Sequence, residues 1–407
     1  MSRIQHVCRG QEGAVFVQVG IALFVLMAFN VFVMDYGVLW VARGQAQNAA
    51  DAGALAGAVA RGFDDFDDPP HSSGFAAQAA AGVAQSNSVW RQPATPVVNF
   101  DCPAGVTGRC TTIAVYRNGE AGSTPLETLF GPILGVSSQG VRATATAITG
   151  NGNATPCLRP WAFADDWDEN LDLAPSGREF SHYYDNGAQA GQQIPSPRDE
   201  YAPPSSTYAG RTTVSADFGE RIVWEISGDA LDRDVPITRE LVVPLNLPGG
   251  RTFAENMAGC LGQPLALNQY LRVIPSIHPR DVVDGVEGVF AQDPAANYDY
   301  GNSRMMNSCA PGCAPVSPRL MAIALYDPQR FQLGRATNNW TQPSVGCPTN
   351  DPCIRVTNII GFFVHRITAG GGYGPHGHFL RYPGAAVSTA PTFVDDGSWL
   401  VTTHLIR

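Results

Sequence analysis

The sequence predicts an α+β protein, in which one long N-terminal transmembrane helix extends into a mainly β extracytoplasmic domain crosslinked by disulfides. Three observations predict this class. An apolar run of about 20 residues lies near the N-terminus. Eight of the nine cysteines follow that run. Charged residues make up only 15% of the chain, and the 43 Gly and 31 Pro favour turns and short strands over a helical bundle.

The apolar run, residues 14–34, is long enough to cross the hydrocarbon layer of a bilayer as a helix. It is longer than the apolar core of a cleavable signal peptide, and Asp35 follows it where a small-residue cleavage site would lie. Arg3 and Arg9 precede the run, so the positive-inside rule places residues 1–13 in the cytoplasm. We therefore expect a single-pass protein of the bacterial inner membrane with an extracytoplasmic C-terminal domain.

The distribution of cysteines indicates the same orientation. Cys8 precedes the apolar run, whereas an even number of cysteines follows it, which suits an oxidising compartment and disulfide bonds. Eight cysteines allow many connectivities, and proximity in sequence suggests one of them. The suggested pairs are Cys102 with Cys110, Cys157 with Cys260, Cys309 with Cys313, and Cys347 with Cys353. A zinc site is the alternative, but the sequence has no Cys-x-x-Cys and no His at finger spacing.

The helix is predicted to continue beyond the membrane to about residue 61, because residues 38–61 contain no Pro and are rich in Ala. Small residues recur there at spacings of three and four, which is the period of a helix-packing seam. The seam consists of Ala46, Ala50, Gly53, Gly57 and Ala60. Such a seam either receives a helix from another protein or packs within its own chain.

Several segments of this region together form a family pattern. Gly13 and Ala14 open the apolar run, and an Asp-x-Gly at residues 35–37 is followed by Trp40. Residues 47–58 then read QNAADAGALAGA. The pattern resembles the N-terminal region of TadG-like proteins of the Flp (Tad) pilus-assembly system. The resemblance implies a membrane-anchored component of pilus assembly whose partners are other pilus-assembly proteins, contacted through the N-terminal helix.

The resemblance extends to about residue 149 through a short series of predicted elements. These are a helix at 75–87, strands at 111–117 and 141–149, and an amphipathic helix at 125–134. Residues 35–149 are therefore expected to form an extended helix with a small α/β region. The sequence lacks the Asp-x-Ser-x-Ser of a von Willebrand A-type metal site. It also has Gln18 where prepilin-peptidase processing after Gly13 would favour Glu, which argues against trimming.

Residues 150–407 are predicted to form a separate β-rich ectodomain, for which a sandwich is the suggested architecture. The strand candidates are 221–226, 240–243, 270–274, 320–326, 356–367 and 400–406. Residues 190–208 are rich in Pro, Ser and Gln and are predicted to form an extended loop. No long amphipathic helix is predicted in this region.

Two clusters in the distal region offer candidate chemistry. His365, His376 and His378 would suit a metal-dependent hydrolase, although a surface role is the simpler interpretation because a Gly-rich loop holds ligands poorly. An acidic cluster beside two tryptophans would suit an adhesive or glycan-directed surface, with a solvated loop as the alternative. Its members are Asp165, Asp166, Asp168, Glu169, Trp161 and Trp167.

The net charge and the absence of known motifs argue against nucleic-acid binding, nucleotide binding and the common hydrolase mechanisms. The net charge of −10 argues against nucleic acid as a partner. No motif of a nucleotide-binding loop, a serine hydrolase or a zinc protease occurs. We therefore predict a non-enzymatic anchored component with no cofactor, no metal and no catalytic residue. An anchored ligand-binding module and a metal-dependent hydrolase are the alternatives.

Overall fold

The computed structural model describes residues 12–64, 70–106, 108–164, 179–180, 221–223, 242–260, 262–299, 304–310, 312–314, 316–368, 374–388 and 399–406. The chain divides into two compact units. The first comprises Met1–Thr149 with Thr403–Arg407, and the second comprises Gly150–Thr402. The architecture is α+β, with a long N-terminal helix and a mainly β remainder, as predicted from the sequence.

The described helices are α1 Glu12–Phe63, α2 Phe75–Ser86, α3 Phe253–Ala258, α4 Pro279–Gln292 and α5 Pro328–Thr337, with 3₁₀ turns at Glu120–Gly122 and Gly131–Leu134. The strands of the N-terminal part are β1 Ser88–Val89, β2 Gln92–Pro93, β3 Thr95–Asn99, β4 Arg109–Arg117, β5 Leu126–Glu127, β6 Ser138–Gln139 and β7 Val141–Asn151. Those that follow are β8 Ala154–Thr155, β9 Leu158–Ala164, β10 Glu179–Phe180, β11 Arg221–Val223, β12 Val242–Asn246, β13 Leu265–Ala266, β14 Tyr270–Val273, β15 Asn297–Asp299, β16 Arg304–Met306, β17 Leu320–Tyr326, β18 Cys353–Thr368, β19 Gly374–Leu380, β20 Tyr382–Pro383 and β21 Leu400–Ile406.

Helix α1 has two differently packed halves. Its 52 residues make it roughly 78 Å long. The N-terminal half is long and apolar enough to cross a membrane, and none of its most apolar window is buried within the protein. Within this half, the polar side chain of Asn30 donates from Nδ2 to the Leu26 carbonyl at 2.9 Å.

The C-terminal half of α1 packs into the core of the first unit. Its alanines are buried against α2 and against a sheet in which β3 and β7 flank the central strand β4 and the end of β21 lies beside β7. β4 and β7 are antiparallel over the whole length of β4, from Arg109 opposite Thr149 to Arg117 opposite Val141. The helix predicted at 75–87 and the strands predicted at 111–117 and 141–149 are confirmed.

The prediction of an amphipathic helix at 125–134 was wrong. The segment forms the short strand β5 and then the 3₁₀ turn Gly131–Leu134. The Thr128 hydroxyl donates to the Val136 carbonyl at 2.6 Å. The carboxylate of Asp35 on α1 accepts the N–H groups of Leu129 and Gly131. Tertiary hydrogen bonds therefore override the apolar periodicity of the segment.

The second unit is built on one eight-stranded sheet and not on the two packed sheets of a sandwich. The strand order is β10-β11-β19-β18-β14-β12-β9-β17, and β18 also pairs with β17. The pairings of β18, β17, β9, β12 and β14 therefore form a closed ring. The long strand β18 makes this closure possible, because Cys353–Arg355 pair with β14 while the following residues pair with β17.

Two hydrophobic clusters cover the two faces of this sheet. Alternate residues of β17 belong to different clusters. Met321, Ile323 and Leu325 pack with α3 and α4. Phe331 of α5 is in the cluster that contains the alternating residues Leu320, Ala322, Ala324 and Tyr326. Every residue of β9 and of β17 is consequently buried. The predicted strands at 320–326 and 400–406 are confirmed in full, and those at 270–274 and 356–367 within a few residues.

The prediction that residues 150–407 contain no long amphipathic helix was wrong, because α4 is a 14-residue helix with one buried face. Val282, Val286 and Val289 are buried at helical spacing, Pro279 occupies the first turn, and His278 caps the helix. Two glycines within the helix lower its propensity and hide the pattern. One of them, Gly285, is needed for close packing, because an added Cβ would lie 2.7 Å from the Met257 Cβ on α3.

All eight cysteines that follow the apolar run lie at disulfide distance in four pairs. These are Cys102–Cys110 in the first unit, and Cys157–Cys260, Cys309–Cys313 and Cys347–Cys353 in the second. Three of the bonds close loops of fewer than ten residues, whereas Cys157–Cys260 joins residues 103 apart. The chain that lies between those two cysteines contains β9 to β12 and α3, so this bond constrains much of the second unit.

Candidate functional site

The helix-packing seam lies inside the first unit. Ala46 and Ala50 are at most 1% exposed. A Cβ added at Gly53 would lie 2.8 Å from the Ala80 carbonyl oxygen of α2, and one added at Gly57 would lie 2.5 Å from the Thr111 Cγ2 of β4. Small residues are therefore required because α2 and β4 approach the helix backbone closely.

Polar contacts fix the same half of α1 to the sheet. Arg61 donates from Nη1 to the Cys110 carbonyl at 2.8 Å, and the Thr149 hydroxyl donates to the Ala58 carbonyl at 2.6 Å. Gln47 donates to the Thr144 carbonyl of β7 at 3.4 Å and, within the helix, to the Asp51 carboxylate at 2.8 Å. The QNAADAGALAGA segment is thus the surface by which the helix joins the folded unit. The seam is therefore filled within the chain by α2 and β4.

Asp35, immediately after the apolar run, is the second organised feature of α1. Its carboxylate accepts the backbone N–H groups of Leu129 at 2.8 Å and of Gly131 at 2.7 Å, and that of Phe130 at 3.2 Å. The side chain is 7% exposed. One carboxylate on the helix therefore holds three consecutive backbone donors of a distant loop, which gives the Asp-x-Gly of the family pattern a structural role.

The second unit contains an open cavity of about 440 Å³. Its lining is mainly apolar and includes Pro156, Ala314, Val316, Leu320 and Tyr382, together with the Cys157–Cys260 disulfide. One cation, Arg159 of β9, also lines it and is 3% exposed. Burial lowers the pKa of the Arg159 guanidinium, although an arginine stays charged at any physiological pH.

Arg159 is incompletely compensated. Its Nη1 donates to the Met257 carbonyl at 2.9 Å, its longer contacts to Asn256 and Pro318 are at 3.5 Å, and its Nε has no hydrogen-bond partner. No carboxylate among the described residues pairs with it. The two carbonyls at the end of α3 supply only a partial negative charge. The cavity therefore offers a positive charge in an apolar setting, which is suited to an anionic group on an apolar body.

A second buried arginine in the same unit shows what full compensation looks like. Arg319 donates to the carbonyls of Val364 and His365 at about 3.0 Å and stacks on the Phe290 ring at 4.3 Å. The charge of Asp293 acts on it as well. Burial alone would raise the pKa of Asp293, but hydrogen bonds from Ser317, the Cys309 N–H and Ser308, with the charge of Arg319, lower it below its ordinary value.

Asp293 also belongs to the one group of metal-ligand side chains found among the described residues, with Cys309 and Cys313. Those two sulfurs are joined in a disulfide, so they are not available as thiolate ligands. In the disulfide form, the Asp293 carboxylate instead organises the loop around this bond. It accepts the Cys309 N–H at 3.0 Å and the hydroxyls of Ser308 and Ser317 at 2.7 and 2.5 Å.

The histidines considered as metal ligands in the alternative hydrolase hypothesis lie on β18 and β19. His378 is buried and stacks on Tyr298 with ring centroids 3.7 Å apart, and His365 lies 6.3 Å from it in an edge-on arrangement. With His376, they form no ligand cluster in the part of the chain that the structure describes.

Trp161, from the predicted glycan-directed cluster, is fully buried and stacks with Phe163, so it offers no binding surface. The remainder of that cluster, 165–169, and the loop predicted at 190–208 lie outside the described residues.

Two groups of functional interest were missed in the sequence. Arg159 lies within the apolar strand LRPWAFA, and a lone cation in a fully buried strand was the available signal. The segment LFGPILGV at 129–136 was interpreted as a helix, although its lack of any polar side chain was visible.

By fold and site, the described residues form one candidate membrane-spanning helix that continues into a folded α/β unit, followed by a larger β-rich unit. Residues 13–60 match the family model described as "Putative Flp pilus-assembly TadE/G-like". The match confirms the resemblance of the N-terminal region and covers the helix. Comparisons with curated proteins and with solved structures gave no significant match.

Proposed function

We propose that this chain is a non-catalytic, single-pass component of Flp (Tad) pilus assembly or of a related bacterial envelope structure. The observation that carries the proposal is the family match at residues 13–60, which falls on the helix that is both apolar enough to cross a membrane and continuous with a folded unit. The N-terminus would lie in the cytoplasm and both units outside the inner membrane. Its work would be to hold the ectodomain at the membrane and to contact other assembly proteins.

Two structural features support an anchoring role. None of the described side chains of residues 15–34 of α1 is buried, so the protein itself provides no core for them. The other half is fixed to the first unit by the filled seam and by the Arg61 and Thr149 hydrogen bonds. A continuous helix held at one end transmits the position of the membrane directly to the ectodomain.

Replacing residues 1–34 with a cleavable signal peptide is expected to release both units into the periplasm and to abolish their contribution to piliation. Surface pili would be counted in a deletion strain of the native host that carries either the full chain or the secreted form. The full chain should restore pili and the secreted form should not, because the anchor would be lost. Normal pili in the deletion strain, or full rescue by the secreted form, would contradict the proposal.

A second candidate function, binding of a small carboxylate by the second unit, is favoured by the cavity around Arg159. A buried cation without a carboxylate partner is costly, and a ligand anion would relieve that cost while its apolar body filled the cavity. This function is compatible with an anchored assembly component and would make the ectodomain a sensor or carrier of such a compound.

The carboxylate site predicts a thermal shift that depends on charge. Hexanoate or phenylacetate should stabilise the second unit of the detergent-solubilised full chain, by about 2.7 kcal/mol at 100 times Kd, whereas the matching amides should not. Arg159→Met should abolish the shift. Because Arg159 also bonds to the end of α3, Ala314→Phe provides a variant that fills the cavity and leaves the arginine in place. Equal shifts with acids and amides, or no shift with any acid, would contradict a carboxylate site.

A further inference from the structure

The loop of residues 129–136, LFGPILGV, is an exposed apolar surface on the first unit. Leu129 is 65% exposed and Ile133 is 72% exposed, and Phe130 and Val136 are also exposed. No residue of the loop carries a polar or charged side chain. A contiguous apolar surface of this kind marks a site that contacts another molecule or a membrane.

The position of the loop indicates which of these it contacts. Asp35 is the first residue after the apolar run 14–34, and its carboxylate holds the N–H groups of Leu129 and Gly131 at 2.8 and 2.7 Å. The loop is therefore tied to the point where α1 would leave the hydrocarbon layer. Tyr36 and Trp40 follow Asp35 on α1 within two helical turns and are 47% and 64% exposed. Tyr and Trp are enriched at membrane–water interfaces.

The backbone of the loop is also prepared for an apolar environment, where unsatisfied N–H and C=O groups are costly. Asp35 accepts the first three N–H groups, and Pro132 has none to satisfy. Other N–H groups donate within the loop: Ile133 to Phe130 at 3.0 Å, Gly135 to Pro132 at 3.2 Å, and Val136 to Gly131 at 2.9 Å. The Thr128 hydroxyl donates to the Val136 carbonyl. Six N–H groups of the loop are thus paired within the protein, while the side chains of Leu129, Ile133 and Val136 are exposed.

We infer that the loop 129–136 inserts into the outer interface of the lipid bilayer beside α1, with Leu129 and Ile133 as its anchoring side chains. The inference rests on the membrane insertion of α1 proposed above. It adds a second membrane contact, which fixes the tilt and rotation of the first unit on the membrane surface. A single helix constrains neither of these, because it can both turn about its own axis and tilt in the bilayer.

The test places a polarity-sensitive fluorophore at the loop in the full chain. A Cys8→Ser chain with Ile133→Cys carries one free thiol, since the other eight cysteines are paired. The labelled protein is reconstituted into vesicles of phosphatidylcholine and phosphatidylglycerol with and without lipids that carry a nitroxide near the headgroup end of the acyl chain. We expect strong quenching by the nitroxide and a blue-shifted emission.

Val97→Cys provides a matched control on the same unit. Val97 is apolar and 42% exposed. It pairs with Ala114, which pairs with Thr144, whose carbonyl accepts from Gln47 on α1. Gln47 is twelve residues beyond Asp35, roughly 18 Å farther from the membrane. A label at Val97 should show water-like emission and several-fold weaker quenching than a label at Ile133.

A second variant ties the quenching to the apolar surface. Leu129→Asp in the Ile133→Cys chain should reduce the nitroxide quenching several-fold, because a charged side chain resists entry into the interface. Equal, weak quenching at residues 133 and 97 would overturn the inference, and so would a label at 133 shielded from aqueous iodide but not quenched by the lipids, which would indicate a protein contact. Failure of the chain to enter the vesicles at all would instead count against the proposed anchor.

Discussion

Removing the Cys157–Cys260 disulfide is expected to have the largest effect of any single change on the second unit. In the chain-entropy description, a crosslink that closes a loop of about 100 residues stabilises the folded state by about 4.7 kcal/mol. This bond joins residues 103 apart. The unfolded chain of Cys157→Ala with Cys260→Ala would gain that freedom, and small domains commonly lose about 2–5 kcal/mol when such a bond is removed.

Urea unfolding of the solubilised full chain, followed by tryptophan fluorescence, measures the effect. The second unit holds five of the seven tryptophans: Trp161, Trp167, Trp224, Trp340 and Trp399. The midpoint should fall markedly in the double variant. Cys309→Ala with Cys313→Ala is the matched control, because that bond closes a loop of four residues and should contribute about 2 kcal/mol or less. Equal losses in the two variants would contradict the entropic account.

Gly57→Ala is expected to have the second-largest effect, on the first unit. The added methyl group would lie 2.5 Å from the Thr111 Cγ2 and 2.8 Å from the Ala80 Cβ. Both neighbours belong to the packed core, so the helix or the sheet would have to move. Overpacking of this kind costs about 1–3 kcal/mol, and Gly57→Leu should cost more.

Gly44→Ala is the control within the same helix. Nothing lies within 4 Å of a Cβ at Gly44, so the change should stabilise the helix by up to about 1 kcal/mol through propensity alone. Hydrogen exchange of the amides of α2 and β4 in the solubilised full chain measures both variants. Faster exchange in Gly57→Ala and slower or unchanged exchange in Gly44→Ala is the expected result. If the two variants exchange alike, the seam does not pack within the chain.

This pair of variants also clarifies how the seam should be interpreted in an assembly experiment. Because α2 and β4 occupy it, a large residue at position 57 would disrupt the first unit before it disturbed any contact with another protein. Loss of assembly in such a variant would therefore report loss of the fold. Contacts with partners are better tested on the exposed side chains of the apolar half of α1.

Local sequence was enough to predict the N-terminal helix. Hydropathy over residues 14–34, the absence of Pro up to residue 61 and the QNAADAGALAGA segment were enough to predict the long helix and its family resemblance. These signals are local, and a helix satisfies its backbone hydrogen bonds within itself. The strands at 141–149 and 320–326 were predicted for a similar reason, because each has a local pattern typical of a strand. Residues 141–145 alternate in burial, and residues 320–326 form a short apolar run.

Only the tertiary structure decided where the small residues, the charged groups and the apolar loop would act. The seam could face another chain or its own, and that choice depends on α2 and β4, which come later in the chain. The role of Asp35 depends on N–H groups 94 to 96 residues away. The same contact turned an apparent helix at 125–134 into an exposed loop. Such long-range hydrogen bonds and close approaches leave no periodicity in the sequence, which is why the N-terminal helix was predictable and the exposed loop beside it was not.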